Sequence, residues 1–140
     1  DKTEFENTEE MNKEKLGIEL SRMRNDKPIG GLTKYAIKSI EEGRSSYPVS
    51  NLLIYCEAIS QQLVLTDMAT AESYPVDNMQ EIHEVLQMLM ERWQIDDSLM
   101  YRKTGIHYTA KKGATGSLSI VTMLAMCEVL HCKLDFIPIN

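Results

Sequence analysis

Few side chains in this sequence could do chemistry. Cys127, His131 and Cys132 fall within one predicted helical stretch, and Cys127 and His131, at i and i+4, can share a helix face as two zinc ligands would. No further pair of the Cys-x-x-Cys or His-x-x-x-His type accompanies them, so no metal site is expected and Cys127 reads as a small buried hydrophobe. Asp96 and Asp97 stand directly before Ser98, where carboxylates favour a helix start, rather than in the separated geometry of a general acid and base. A glycine-rich phosphate loop, a Gly-x-Ser-x-Gly elbow and a His-Glu-x-x-His string are all lacking. The expectation is therefore a protein with no catalytic residues and no cofactor, and not an enzyme.

The cations are more informative. Between Asp97 and Glu128 the sequence holds Arg102, Lys103, His107, Lys111 and Lys112 without one carboxylate. Between Asp26 and Glu41 the only charges are Lys27, Lys34 and Lys38. Windows of this kind suit contact with phosphate, which carboxylates would repel; a solvated charged face with no ligand is the other reading. The net charge of −6 argues against a nucleic-acid partner only until it is mapped. Residues 1–15 and 67–80 carry −3 each, whereas residues 16–66 come to +1 and residues 81–140 to −1. Two nearly neutral segments thus remain, each free to present a basic face.

The elements that must position these cations follow from hydrophobic period and breakers. Residues 1–11 have no sustained apolar period and form a polar lead-in. Leu16, Leu20 and Met23 recur at helical spacing, with Arg22 and Arg24 in the last turn. Pro28 and Gly30-Gly31 break the chain, and a second helix runs from Leu32 or Thr33 to Glu42, burying Tyr35 or Ala36, Ile37 and Ile40 and stopping at Gly43. Ser50–Ser60 predicts a core-facing helix, Leu63–Leu65 a short extended run, and Thr66–Asn78 a linker in which Ser73, Pro75 and Asp77 favour extended or turn structure. The second half repeats the order with helices over Ile82–Trp93, Ser98–Thr104 and Ser119–His131, then an extended Leu134–Ile137. Cys56-Glu57-Ala58-Ile59 with Leu63 and Leu65 corresponds to Cys127-Glu128-Val129-Leu130 with Leu134 and Phe136 at a constant offset of 71 residues, which predicts an internal repeat whose extended runs can pair with each other.

The run from Ala36 to Arg44 (Ala-Ile-Lys-Ser-Ile-Glu-Glu-Gly-Arg), followed by Pro48, Leu52, Leu53 and Ala58-Ile59, resembles the lambda-repressor-like (Cro/C1, or XRE) helix-turn-helix family. In the second half, Leu99, Lys103 and Thr104-Gly105-Ile106 look like that family's second helix and turn, and Lys112-Gly113 with Ser117-Leu118 like the end of its recognition helix. Both motifs are shortened: about two turns are missing between Arg24 and Leu32, and about one turn between His107 and Gly113. The resemblance implies an all-α fold of two tandem lambda-repressor-like units, with short extended segments after the last helix of each. Its boundaries are an acidic lead-in at 1–15, unit one at 16–66, a linker at 67–80 and unit two at 81–140.

It also implies a cytoplasmic transcriptional regulator that binds double-stranded DNA through Thr33, Lys34, Lys38, Arg44, Arg102, Lys103, His107, Tyr108, Lys111 and Lys112. The alternative is a degenerate helix-turn-helix module that binds a protein partner instead. Three widely spaced cysteines are expected as free thiols, and neither a secretory leader nor a membrane span is evident in the sequence. Nine methionines are expected mainly in the core, with exposed ones serving a homodimer or inter-unit seam.

Overall fold

The computed structural model describes residues 12–43, 45–108 and 117–139. In chain order the elements are α1 (Lys13–Arg24), α2 (Lys34–Glu42), α3 (Val49–Ala58), β1 (Gln61–Asp67), β2 (Ser73–Val76), α4 (Met79–Arg92), α5 (Asp97–Thr104), α6 (Ile120–Val129) and β3 (Cys132–Pro138). Local chemistry sets most helix starts. Asn12, Thr33, Asn78, Asp96 and Ser119 each accept a bond from the backbone N–H three residues on, which satisfies a donor that the first turn leaves open. Helix α2 ends on Gly43 and α5 on Gly105, both in the left-handed conformation that glycine adopts without a Cβ penalty.

Only α3 lacks such a side-chain cap among these helices, and the substitute comes from the other half of the chain. Val49 N donates to Leu118 O and Ile120 N donates to Tyr47 O, both at 2.8 Å, around a bridge between Pro48 and Ser119. The second of each pair lies 71 residues after its counterpart. The same relation governs the sheet. Strands β1 and β3 pair antiparallel about Val64↔Asp135, so that Leu63 faces Phe136 and Leu65 faces Leu134. Met68 N donates to His131 O at 2.8 Å and Ile139 N to Ser60 O at 2.9 Å, and Ser60 and His131 are both left-handed, at φ 56° and 54°. Each of these backbone bonds thus has a mate with the two halves exchanged. That reciprocity is the signature of a two-fold axis, here relating α3–β1 to α6–β3 within one chain.

The all-α expectation is corrected by this sheet: the fold is mixed, six helices and one three-stranded antiparallel sheet of order β2-β1-β3 among the described residues. The physical reason is non-local pairing. The extended runs at Leu63–Leu65 and Leu134–Ile137 are long enough to form a full ladder with each other. The segment expected as a linker supplies β2, whose Pro75 is tolerated because β2 is an edge strand. One continuous core underlies the sheet, running from Leu16, Leu20 and Ile40 through Leu52, Leu63, Leu65 and Leu134 to Leu86, Met100, Met123 and Met126. Cys56 and Cys127 occupy equivalent positions of α3 and α6, and both are buried. The opposite sheet face is polar around Val64: Gln62 Nε2 donates to Val76 O at 2.9 Å, and Lys133 pairs with Asp135 at 3.5 Å.

Candidate nucleic-acid interface

Helix α2 carries the first group of expected contacts, and α1 fixes its position. A Cβ on Gly17 would lie 2.5 Å from Ile40 O, and one on Gly43 would lie 2.5 Å from Lys13 O, so the two helices approach as closely as backbone allows. Lys13 Nζ donates to Gly43 O at 2.8 Å across this crossing. Glu41 adds a second fastening. Its carboxylate accepts from Arg24, including Nη2 at 3.1 Å, and from the Tyr55 hydroxyl, whose one proton is shared with Leu20 O at 3.1 Å. Burial opposes ionisation of Glu41, but the bonds from Arg24 and Tyr55 outweigh it and hold the carboxyl below its ordinary value. Burial and the Glu41 bond together push the Tyr55 phenol up.

With Ile40 inward at 0% exposure, the opposite side of α2 is left to solvent. Thr33, Lys34 and Lys38 are all exposed there. Thr33 Oγ1 is already engaged as the cap, accepting from Ala36 N at 3.1 Å, and Lys38 Nζ lies 3.9 Å from Glu42 Oε1. Tyr35 is 84% exposed; of the two residues expected as alternatives for the core, Ala36 is the one partly buried. The aromatic ring and hydroxyl of Tyr35 are thus exposed on the same helix as the two lysines. Arg44 lies outside the described residues.

The second group surrounds the end of α5. Arg102 and Lys103 are exposed in its last turn, where cations also favour the helix dipole. Gly105 then turns the chain at φ 76°, Ile106 is buried, and His107 is exposed with its ring stacked on Tyr101 at 4.1 Å between centroids. Tyr108 departs from expectation. It is 2% exposed, its hydroxyl bonds His83 Nδ1, and burial, with Asp97 nearby, pushes the phenol up. It is a core residue that docks the turn against α4, and no surface contact remains to it. Lys111 and Lys112 lie outside the described residues.

Three features of the first unit differ from a complete helix-turn-helix. Residues 25–32 form no helix, Asn25 and Asp26 are left-handed at φ 48° and 63°, and Lys27 N closes a tight turn onto Arg24 O. Among the described residues no cluster of His, Cys, Asp and Glu could hold a metal, and Cys56, Cys127 and Cys132 are buried free thiols. His131 is exposed beyond the end of α6, so it does not join buried Cys127 on one face. No helix among the described residues is long and apolar enough to cross a membrane. No family model, curated protein or solved structure matches the chain.

Proposed function

We propose that the protein is a DNA-binding transcriptional regulator that meets DNA through helix-turn-helix elements. The observation that carries this reading is the pair of exposed cationic groups on packed elements: Lys34 and Lys38 on α2, and Arg102 and Lys103 at the end of α5 with exposed His107 beyond them. Their seating supports it because a contact held by packing loses little side-chain and backbone freedom on binding. The chemistry supports it because Lys and Arg supply phosphate contacts, while Thr33 and Tyr35 offer hydroxyls beside them.

The test is fluorescence anisotropy with a random-sequence duplex at two salt concentrations. Affinity should fall steeply with salt, and each lost phosphate contact should reduce the slope of log affinity against log salt by roughly 0.9. Lys34→Glu with Lys38→Glu, and separately Arg102→Glu with Lys103→Glu, should weaken binding while thermal stability stays within about 0.5 kcal/mol per substitution. Unchanged affinity in both variants overturns the proposal.

A protein-interaction module is the second reading, favoured by one observation: the turn at residues 25–32 replaces the first helix of the DNA-reading motif in unit one. Salt-insensitive binding to a protein partner, with no affinity for DNA, would establish it.

A further inference from the structure

We propose that a single chain engages one DNA duplex as a built-in pseudo-dimer, its two units meeting two inverted, non-identical half-sites. The proposal rests on the DNA-binding reading and adds stoichiometry, polarity and asymmetry to it.

The joint between the halves has the form of an isologous subunit interface. Val49 N–Leu118 O answers Ile120 N–Tyr47 O, and Met68 N–His131 O answers Ile139 N–Ser60 O. Strands β1 and β3 pair antiparallel about Val64 and Asp135, equivalent residues of the repeat. A contact in which i meets j and j meets i is what two separate subunits make across a two-fold axis. Here both sides belong to one polypeptide, and its central residues Val49, Ile120, Leu65 and Leu134 are all 0% exposed. The surface that would join two chains is therefore already consumed within one.

Duplex DNA has local two-fold axes perpendicular to its own axis, so a two-fold protein reads an inverted repeat, with half-sites about 34–36 Å or a multiple apart. The proposal extends this relation outward from the joint, setting the elements that precede α3 and α6 on opposite sides of the axis. Preceding α3 is α2 with Lys34 and Lys38; preceding α6 are α5 and its turn with Arg102, Lys103 and His107. These groups are chemically different, and unit one has a turn at residues 25–32 in the place of α5. The half-sites must differ accordingly, and a perfect palindrome would use one unit badly.

The experiment is selection of duplexes from a randomised pool by the full chain, followed by native mass spectrometry and hydroxyl-radical footprinting on the recovered duplex. One chain per duplex is expected, with two protected segments in inverted orientation, centred about 10–10.5 base pairs or a multiple apart. The variant Lys34→Glu/Lys38→Glu should lose protection over one segment, and Arg102→Glu/Lys103→Glu over the other, each keeping its far-ultraviolet circular dichroism. Two chains per duplex, a direct repeat, or one protected segment only would overturn the pseudo-dimer while leaving DNA binding in place. Failure to enrich any duplex, with no salt-dependent anisotropy change, would overturn the DNA-binding reading and the pseudo-dimer with it.

Discussion

Replacing Gly17 with alanine tests the crossing that aims α2. The new Cβ would lie 2.4 Å from Glu41 O and 2.5 Å from Ile40 O, both backbone atoms that no rotamer change can move. Ordinary van der Waals contact begins near 3.4 Å, so α2 must retreat from α1 by about 1 Å. That retreat pulls Ile40 out of full burial and strains the Glu41 bonds to Arg24 and Tyr55. Overpacking of a core costs about 1–3 kcal/mol, and two rigid atoms in the way put this site near the upper end. Alanine's better helix propensity returns up to about 1 kcal/mol, leaving a net loss of roughly 2 kcal/mol. For a chain of this size that lowers Tm by about 4–8 °C. Thermal unfolding followed by circular dichroism measures it, with Gly30→Ala as the control because nothing lies within 4 Å of a Cβ there. A Gly17→Ala protein as stable as the control would refute the close crossing.

Two tyrosines should separate a working hydroxyl from an idle one. Tyr55→Phe removes the buried hydroxyl that bonds Leu20 O and Glu41 and should cost about 1–3 kcal/mol in urea titration, whereas Tyr47→Phe removes a buried hydroxyl with no partner among the described residues and should be neutral or stabilising. The opposite ranking would mean the bonds are assigned wrongly. Acid should destabilise the fold through Asp67, which is fully buried: burial opposes its ionisation, but bonds from Ala69 N, Arg92 and Thr70 N hold its carboxyl below the ordinary 3.8. A carboxyl with a depressed folded value binds more protons when unfolded, so its contribution is present above about pH 4 and is lost as pH falls through the folded value. The midpoint of urea unfolding should decline below about pH 4, more gently in Asp67→Asn; equal steepness would exclude Asp67 as the source.

Helices were legible because their signals are local. The period of Leu16, Leu20 and Met23 and the stop at Gly43 lie within one or two turns of the residues they order, and each helix forms where those signals stand. The sheet was legible only in pieces. Leu63–Leu65 and Leu134–Ile137 carry strand-forming side chains, but β2 contains Ser73 and Pro75 and becomes a strand because the outer edge of β1 is available to it. No neighbour in sequence announces that edge. The surface divides the same way. Lys34, Lys38, Arg102 and Lys103 are exposed because charged groups avoid burial, whereas Tyr108 is withdrawn by His83, 25 residues earlier. Tyr35 and Ala36 differ by one position on α2, and the crossing with α1 decides which is buried.

The repeat offset identified equivalent residues but could not say how the copies meet, and the pseudo-dimer proposal turns on that distinction. Copies stacked by translation would present their cations in a head-to-tail series, suited to a direct repeat along a groove. Copies facing one another across a two-fold axis present them in opposed directions, suited to an inverted one. The choice is made by the antiparallel direction of β1 against β3, and it is reinforced at the far end of α3 and α6 by the paired bonds around Pro48 and Ser119. Two separate points on one axis fix its direction, so the units cannot swivel about either alone. The halves agree residue for residue at this joint and diverge away from it, where residues 25–32 turn and residues 97–104 form a helix. Under the pseudo-dimer proposal, a symmetric joint carrying unequal outer elements would give the protein a fixed polarity on a duplex, which a homodimer of identical chains could not have.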